Sequence, residues 1–134
     1  MPSIEVHKEA LRVMLEEIDE KIRQKTILER QKVLGFVESE ATLHLMALLL
    51  SKFHLVPQGL SLNHRWFKSE RLIKDKIKAT FPKQNELIPL LIKQEMFRDR
   101  LCYGKNKPET LVKESLENFF TIKKIIEKLL EEKT

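Results

Sequence analysis

A chain of 134 residues suits one domain, with 42% hydrophobic residues for a single core and 34% charged residues to cover it. Only 3 Gly and 5 Pro are present, too few turn formers for an all-β fold. The single cysteine, Cys102, excludes an intramolecular disulfide and a thiolate metal cluster, and it suits a reducing interior.

The chain opens MPSIEVHKEA, with neither a positive n-region nor an apolar h-region, so no signal peptide and a cytoplasmic setting are expected. No repeat, low-complexity tract or long linker divides it, so residues 1–134 read as one domain. The first helix is predicted from about Ile4 to Arg23, where Leu11, Met14, Leu15, Ile18 and Ile22 recur at helical spacing. The second runs from about Leu28 to Phe53. Its most apolar stretch, from Ala41 to Ser51, falls short of the ~20 residues a bilayer span needs, so it reads as a buried core helix and no membrane partner is expected. Pro57 and Gly59 break the pattern.

Asn63 is a plausible cap for a third helix, in which Trp66, Ile73, Ile77 and Phe81 line one side and Lys68, Arg71, Lys74 and Lys78 the other, up to Pro82. A fourth runs from about Glu86 to Cys102, with Pro89 tolerable only near its start and Gly104 as the stop. A fifth starts at Pro108 and Glu109 and carries Val112, Leu116, Phe119, Ile122, Ile126 and Leu130. Long helices with short connections imply an all-α fold, an up-and-down antiparallel bundle of four to five helices.

The net charge of +5 is concentrated. Between Arg65 and Lys83 seven basic residues face only Glu70 and Asp75, which is a local excess of the same size. Such a segment attracts phosphates, or it is simply a solvated helix face. The fourth helix ends in MFRDRLCYGK. Helical periodicity puts Arg98 on the face of Leu87, Leu91 and Leu101, while Arg100 points away. An inward arginine is costly unless it is paired or lines a wet cleft. It is therefore either a structural ion pair or a guanidinium held for phosphate recognition. Glu40, on the side of the second helix shared with Phe36, Leu43 and Ala47, is the expected partner.

These residues resemble the motif of HEPN domains, small helical bundles with an arginine, a polar residue and, a few positions on, a histidine near the end of a late helix. Here Arg98 and Asp99 match the first two, Gly104 follows, and Tyr103 stands where the histidine belongs. The helix layout is similar over most of the chain. The resemblance implies an RNA- or nucleotide-binding cleft around Arg98, with Glu40, Arg100, Lys68, Arg71, Lys74 and Lys78 as binding residues and Arg98, Asp99 and Tyr103 in the catalytic positions. It also implies a homodimer, a toxin–antitoxin or defence role, and a nucleotidyltransferase-type antitoxin partner. Cleavage is expected to be weak or absent, because tyrosine, with an unperturbed pKa near ~10, is a poor general base. It can still stack on a base or donate to phosphate.

Other candidates carry less. His7, His44, His54 and His64 form no HxxxH or HExxH pair. Glu40 and His44 are one turn apart, but no second such pair exists, so no metal is expected and His44 reads as a hydrogen-bonded core residue. Cys102 reads as a helix-end filler whose pKa Arg98 and Arg100 would lower. No Gly-rich phosphate loop is present, and no cofactor is expected. Trp66 reads as a core anchor, with a stacking platform as its alternative. The competing functional reading is a non-enzymatic protein–protein interaction module. A helix-turn-helix DNA binder is disfavoured, because VPQGLSLN is long for that turn.

Overall fold

A computed structural model of the protein describes residues 4–56 and 61–132. Pro57 and Gly59, read from sequence as helix breakers, lie outside the described residues. Five α-helices follow in order: α1 (Ile4–Arg23), α2 (Gln31–Lys52), α3 (Glu70–Lys76), α4 (Gln84–Cys102) and α5 (Glu109–Glu131), with a short 3₁₀ helix at His64–Lys68 between α2 and α3. The described residues contain no β-strand. The fold is an all-α bundle.

The centre of the bundle is α2, which packs against α1, α4 and α5. Its run from Leu45 to Leu50 is buried throughout, which is why the sequence there is apolar on every side. This is the one described helix long and apolar enough to cross a membrane, and most of it is buried inside the bundle. Side-chain bonds fix the directions. Arg98 reaches Glu40 and Cys102 reaches the Lys32 carbonyl, so α4 runs antiparallel to α2. Lys107 bonds Gln31 at one end of the bundle and Lys52 bonds the Leu129 and Leu130 carbonyls at the other, so α5 runs parallel to α2.

Lys52 also donates to the Glu132 carbonyl, so one ammonium closes the C-terminal end of α5, where helix carbonyls lack intrahelical partners. Gln31 does the corresponding work at the other end. Its amide donates to the Leu28 and Lys107 carbonyls and accepts from the Lys107 N–H, tying the start of α2 to the loop before α5.

Two expectations need correction. The third helix is not continuous. Ser69 is extended (φ −150°, ψ 157°) and its hydroxyl accepts from the Leu72 N–H, so it caps a fresh helix and cuts the stretch in two. The helix then ends at Lys76, well before Pro82, although Ile77 and Phe81 remain buried. The break rotates the stripe, so Phe67 is the buried aromatic and Trp66 is only partly covered, with Lys76 Nζ 6.0 Å from its ring centre. Ile22 and Phe36, expected on inward faces, are 39% and 45% exposed. Ile22 lines an open pocket with Ile27 and with Leu116 of α5, and the Phe36 ring lies under the Arg98 guanidinium. Asn63 does cap the 3₁₀ helix, its side chain accepting from the Arg65 N–H at 2.9 Å.

Candidate functional site

Arg98 sits where the helical period of α4 places it, with its side chain 11% exposed. Its Nη1 donates to Glu40 Oε2 at 2.9 Å and to Ser39 Oγ at 3.0 Å, both on α2. The guanidinium lies over the Phe36 ring, 5.0 Å from its centre, a cation–π contact that explains why this aromatic stays at the surface. Only Nη1 has a hydrogen-bond partner among the described residues. Nε and Nη2 have none, and neither is sealed from water.

A second pair lies beside the first. His64 Nδ1 is 2.7 Å from Glu95 Oε1, and the Glu95 side chain is 4% exposed against 26% for His64. Burial pushes the Glu95 carboxyl above the usual carboxylate range, while the hydrogen bond and charge of His64, and then the charge of Arg98, pull the other way. Glu95 is three residues before Arg98 on α4, and Asn63 begins the 3₁₀ turn that delivers His64 to it. A shallow, open groove lined by Glu40, Leu43, Ser61, Leu62, Asn63, His64 and Arg65 takes one member of each pair, Glu40 and His64, into its wall, while Arg98 and Glu95 lie behind them.

The other expected site residues are more dispersed. Asp99 is half exposed, with Lys68 Nζ 4.0 Å from its Oδ2. Tyr103 is 66% exposed at the end of α4 and does not line the groove. Arg100, Lys68, Arg71, Lys74 and Lys78 are all exposed. Lys74 is 3.0 Å from Glu70 one turn away, so part of its charge is spent within α3. Only Lys68 reaches the neighbourhood of Arg98, through Asp99.

Cys102 reverses an expectation. Its thiol pKa is raised, not lowered, because burial outweighs the charge of Arg98, and its Sγ donates to the Lys32 carbonyl at 3.4 Å. His44 does have a partner, but it is His7 on α1, with the two Nδ1 atoms 2.8 Å apart. Among the described residues no three His, Cys, Asp or Glu side chains are placed to share a metal ion.

Sequence reasoning missed His64 and Glu95. The signal for Glu95 was present, since it follows Leu91 by four residues and so falls on the buried side of α4. His64 carried no local signal, because it meets Glu95 only through the packing of the 3₁₀ segment on α4. No protein-family model matches the chain, and no curated protein or solved structure matches it.

Proposed function

We propose that this chain is a HEPN-like protein that binds RNA or a nucleotide on the face around Arg98. On this reading ribonuclease activity is weak or lost, because Tyr103 occupies the histidine position of the motif. The observation that carries the reading is the half-used guanidinium. Arg98 is held by Ser39, Glu40 and Phe36, yet Nε and Nη2 have no acceptor among the described residues. A planar fork held in place with donors to spare suits a phosphate oxygen. Glu40 then acts as an internal competitor for the same guanidinium. The cytoplasmic setting, the homodimer, a toxin–antitoxin or defence role and a nucleotidyltransferase-type partner belong to the same proposal through the motif.

The test is binding of labelled single-stranded RNA and of tRNA, with the same gel read for cleavage products. Arg98→Ala is expected to weaken binding about tenfold or more. Glu40→Gln is expected to strengthen it, since a competing carboxylate is removed. A purely structural ion pair gives the same sign for both variants, so matching losses, or wild-type binding by Arg98→Ala, sink the reading. A protein–protein interaction module remains the second reading. It is favoured by the Arg98–Glu40 ion pair itself and by the exposed Val33 and Phe36 on the same helix as Glu40. It requires that neither RNA binds at low salt.

A further inference from the structure

The wall of the groove over α2 and the 3₁₀ segment includes His64, one half of a carboxylate–histidine pair that the motif around Arg98 does not include. Glu95 is buried and belongs to α4. Its Oε1 takes the Nδ1 side of His64 at 2.7 Å. A buried acceptor on one ring nitrogen fixes the tautomer and orientation of an imidazole, with Nδ1 as donor. The other nitrogen, Nε2, makes no hydrogen bond to any described residue, and His64 forms part of the groove wall. Arg65, next in the chain, lines the same groove and is exposed.

We propose that His64 is a ligand-contacting residue of this groove, donating through Nε2 to a phosphate oxygen of a nucleotide or of an RNA backbone, with Glu95 as its positioning residue. The inference rests on the reading of this face as a nucleotide- or RNA-binding surface, and it names the residue that recognises the anion there.

The charges around the groove explain why a histidine belongs in it. Arg65 and Lys68 come from the 3₁₀ segment, Arg98, Asp99 and Glu95 from α4, and Glu40 from α2. Those acting directly on Glu95 are His64, Arg98 and Asp99. With the Glu95–His64 pair unprotonated, the three cations and three carboxylates cancel, and the groove offers an anion no net attraction. One proton on the pair leaves the groove with a single net positive charge, whichever of the two partners carries it. With the proton on His64 both ring nitrogens carry hydrogen, and Nε2 becomes a donor. Phosphate binding therefore takes up or retains a proton at this pair. The Glu95 bond at Nδ1 also orients the ring, so that Nε2 is the nitrogen turned away from α4.

The test uses the whole protein with ¹⁵N-labelled histidine, titrated with inorganic phosphate, with adenosine monophosphate and with a short single-stranded RNA, at about pH 6 and about pH 8. The Nε2 resonance of His64 is expected to move on addition of each phosphate compound. Binding is expected to be about tenfold tighter at the lower pH, and His64→Gln is expected to lose most of that difference. If RNA binds and Arg98→Ala abolishes it, while His64→Gln binds as wild type and the His64 resonance of the wild-type protein stays still, the proposal is overturned and the RNA reading stands. If phosphate moves the resonance but RNA fails to bind, the RNA reading falls and the anion site remains. An unmoved resonance with no RNA binding overturns both.

Discussion

Glu38 lies in the middle of α2 with no exposed surface, facing α4 and α5. Its Oε1 accepts from Ser115 Oγ and from Gln94 Nε2, whose own carbonyl accepts from Asn118. The second oxygen, Oε2, has no hydrogen-bond partner among the described residues. A buried carboxylate with one bare oxygen is costly, and the group responds by holding its proton. Burial drives its pKa up to about 8, against the weaker opposing pull of Ser115 and Gln94. The sign follows from linkage. The folded state keeps a proton that the unfolded chain releases above a pKa of about 4.3, so stability from this group is full in acid. It is then lost as pH rises from there through about 8. Glu38→Gln, which mimics the protonated acid, is expected to flatten that decline and to raise stability at neutral pH by on the order of 1–3 kcal/mol. Urea unfolding of both proteins between about pH 5 and about pH 9 measures it. Parallel pH curves for the two would show that the proton is not held at Glu38. A glutamate on this face was not singled out from the sequence, because surface and core glutamates look alike until Ser115 and Gln94 are known to meet it.

The backbone of α1 comes close to that of α2 and of no other described helix, so α1 is attached to the bundle mainly along one side. Leu11 and Ile18 supply its buried apolar contacts, and near its start His7 meets His44 across the interface. At 2.8 Å one imidazole donates and the other accepts, so both rings cannot be charged. Burial lowers the pKa of each, and for His44 the nearby His7 lowers it further while Glu40 partly restores it. A histidine depressed in the folded state binds fewer protons than in the unfolded chain, so stability falls as pH drops below about 6.5. The loss is expected to show first in α1, because the pair joins α1 to α2 while α2 is also held by α4 and α5. Amide exchange at about pH 5 is expected to rise in α1 while α4 and α5 stay protected, and His7→Gln is expected to abolish the difference. Uniform loss of protection would place the acid sensitivity elsewhere. The joint between α2 and α4 is of another kind. A Cβ on Gly35 would come within 2.9 Å of Leu101 Cβ, so the helices approach closely there. Gly35→Ala is therefore expected to destabilise by about 1–3 kcal/mol despite its better helix propensity, read as a lower denaturation midpoint. The existence of the long helices was legible from their 3.6-residue pattern, as was the inward turn of Arg98 toward Glu40. The break at Ser69 was not, because the apolar spacing from Trp66 through Ile73, Ile77 and Phe81 continues across it. His7–His44 and His64–Glu95 depend on which helices become neighbours, which spacing along one helix does not specify.

Across the whole molecule, charge and core are segregated. The segment from Arg65 to Lys83 carries the full net excess of +5, and its Lys68, Arg71, Lys74 and Lys78 are all exposed on or beside α3. The core beneath it is closed by Phe67, Ile73, Ile77 and Phe81, so the basic residues are not needed to hold the segment down. Exposed pairs such as Lys74–Glu70 contribute at most about 1 kcal/mol each to stability. Binding and folding should therefore separate in a variant that replaces Lys68, Arg71, Lys74 and Lys78 by Gln. Its denaturation midpoint is expected to stay close to wild type. If RNA lies on this face, affinity at low salt falls, and the slope of log K against log salt becomes shallower by about 0.7 for each phosphate contact removed. Arg98→Ala acts on the same binding in a different way. If Arg98 contacts one phosphate, its loss lowers affinity steeply but reduces the slope by only about one such step. A quadruple variant with unchanged slope would place the nucleic acid away from α3 and confine it to the groove between Glu40 and His64. One with a flattened slope would extend the footprint from that groove, through Lys68 beside Asp99, onto the basic helix.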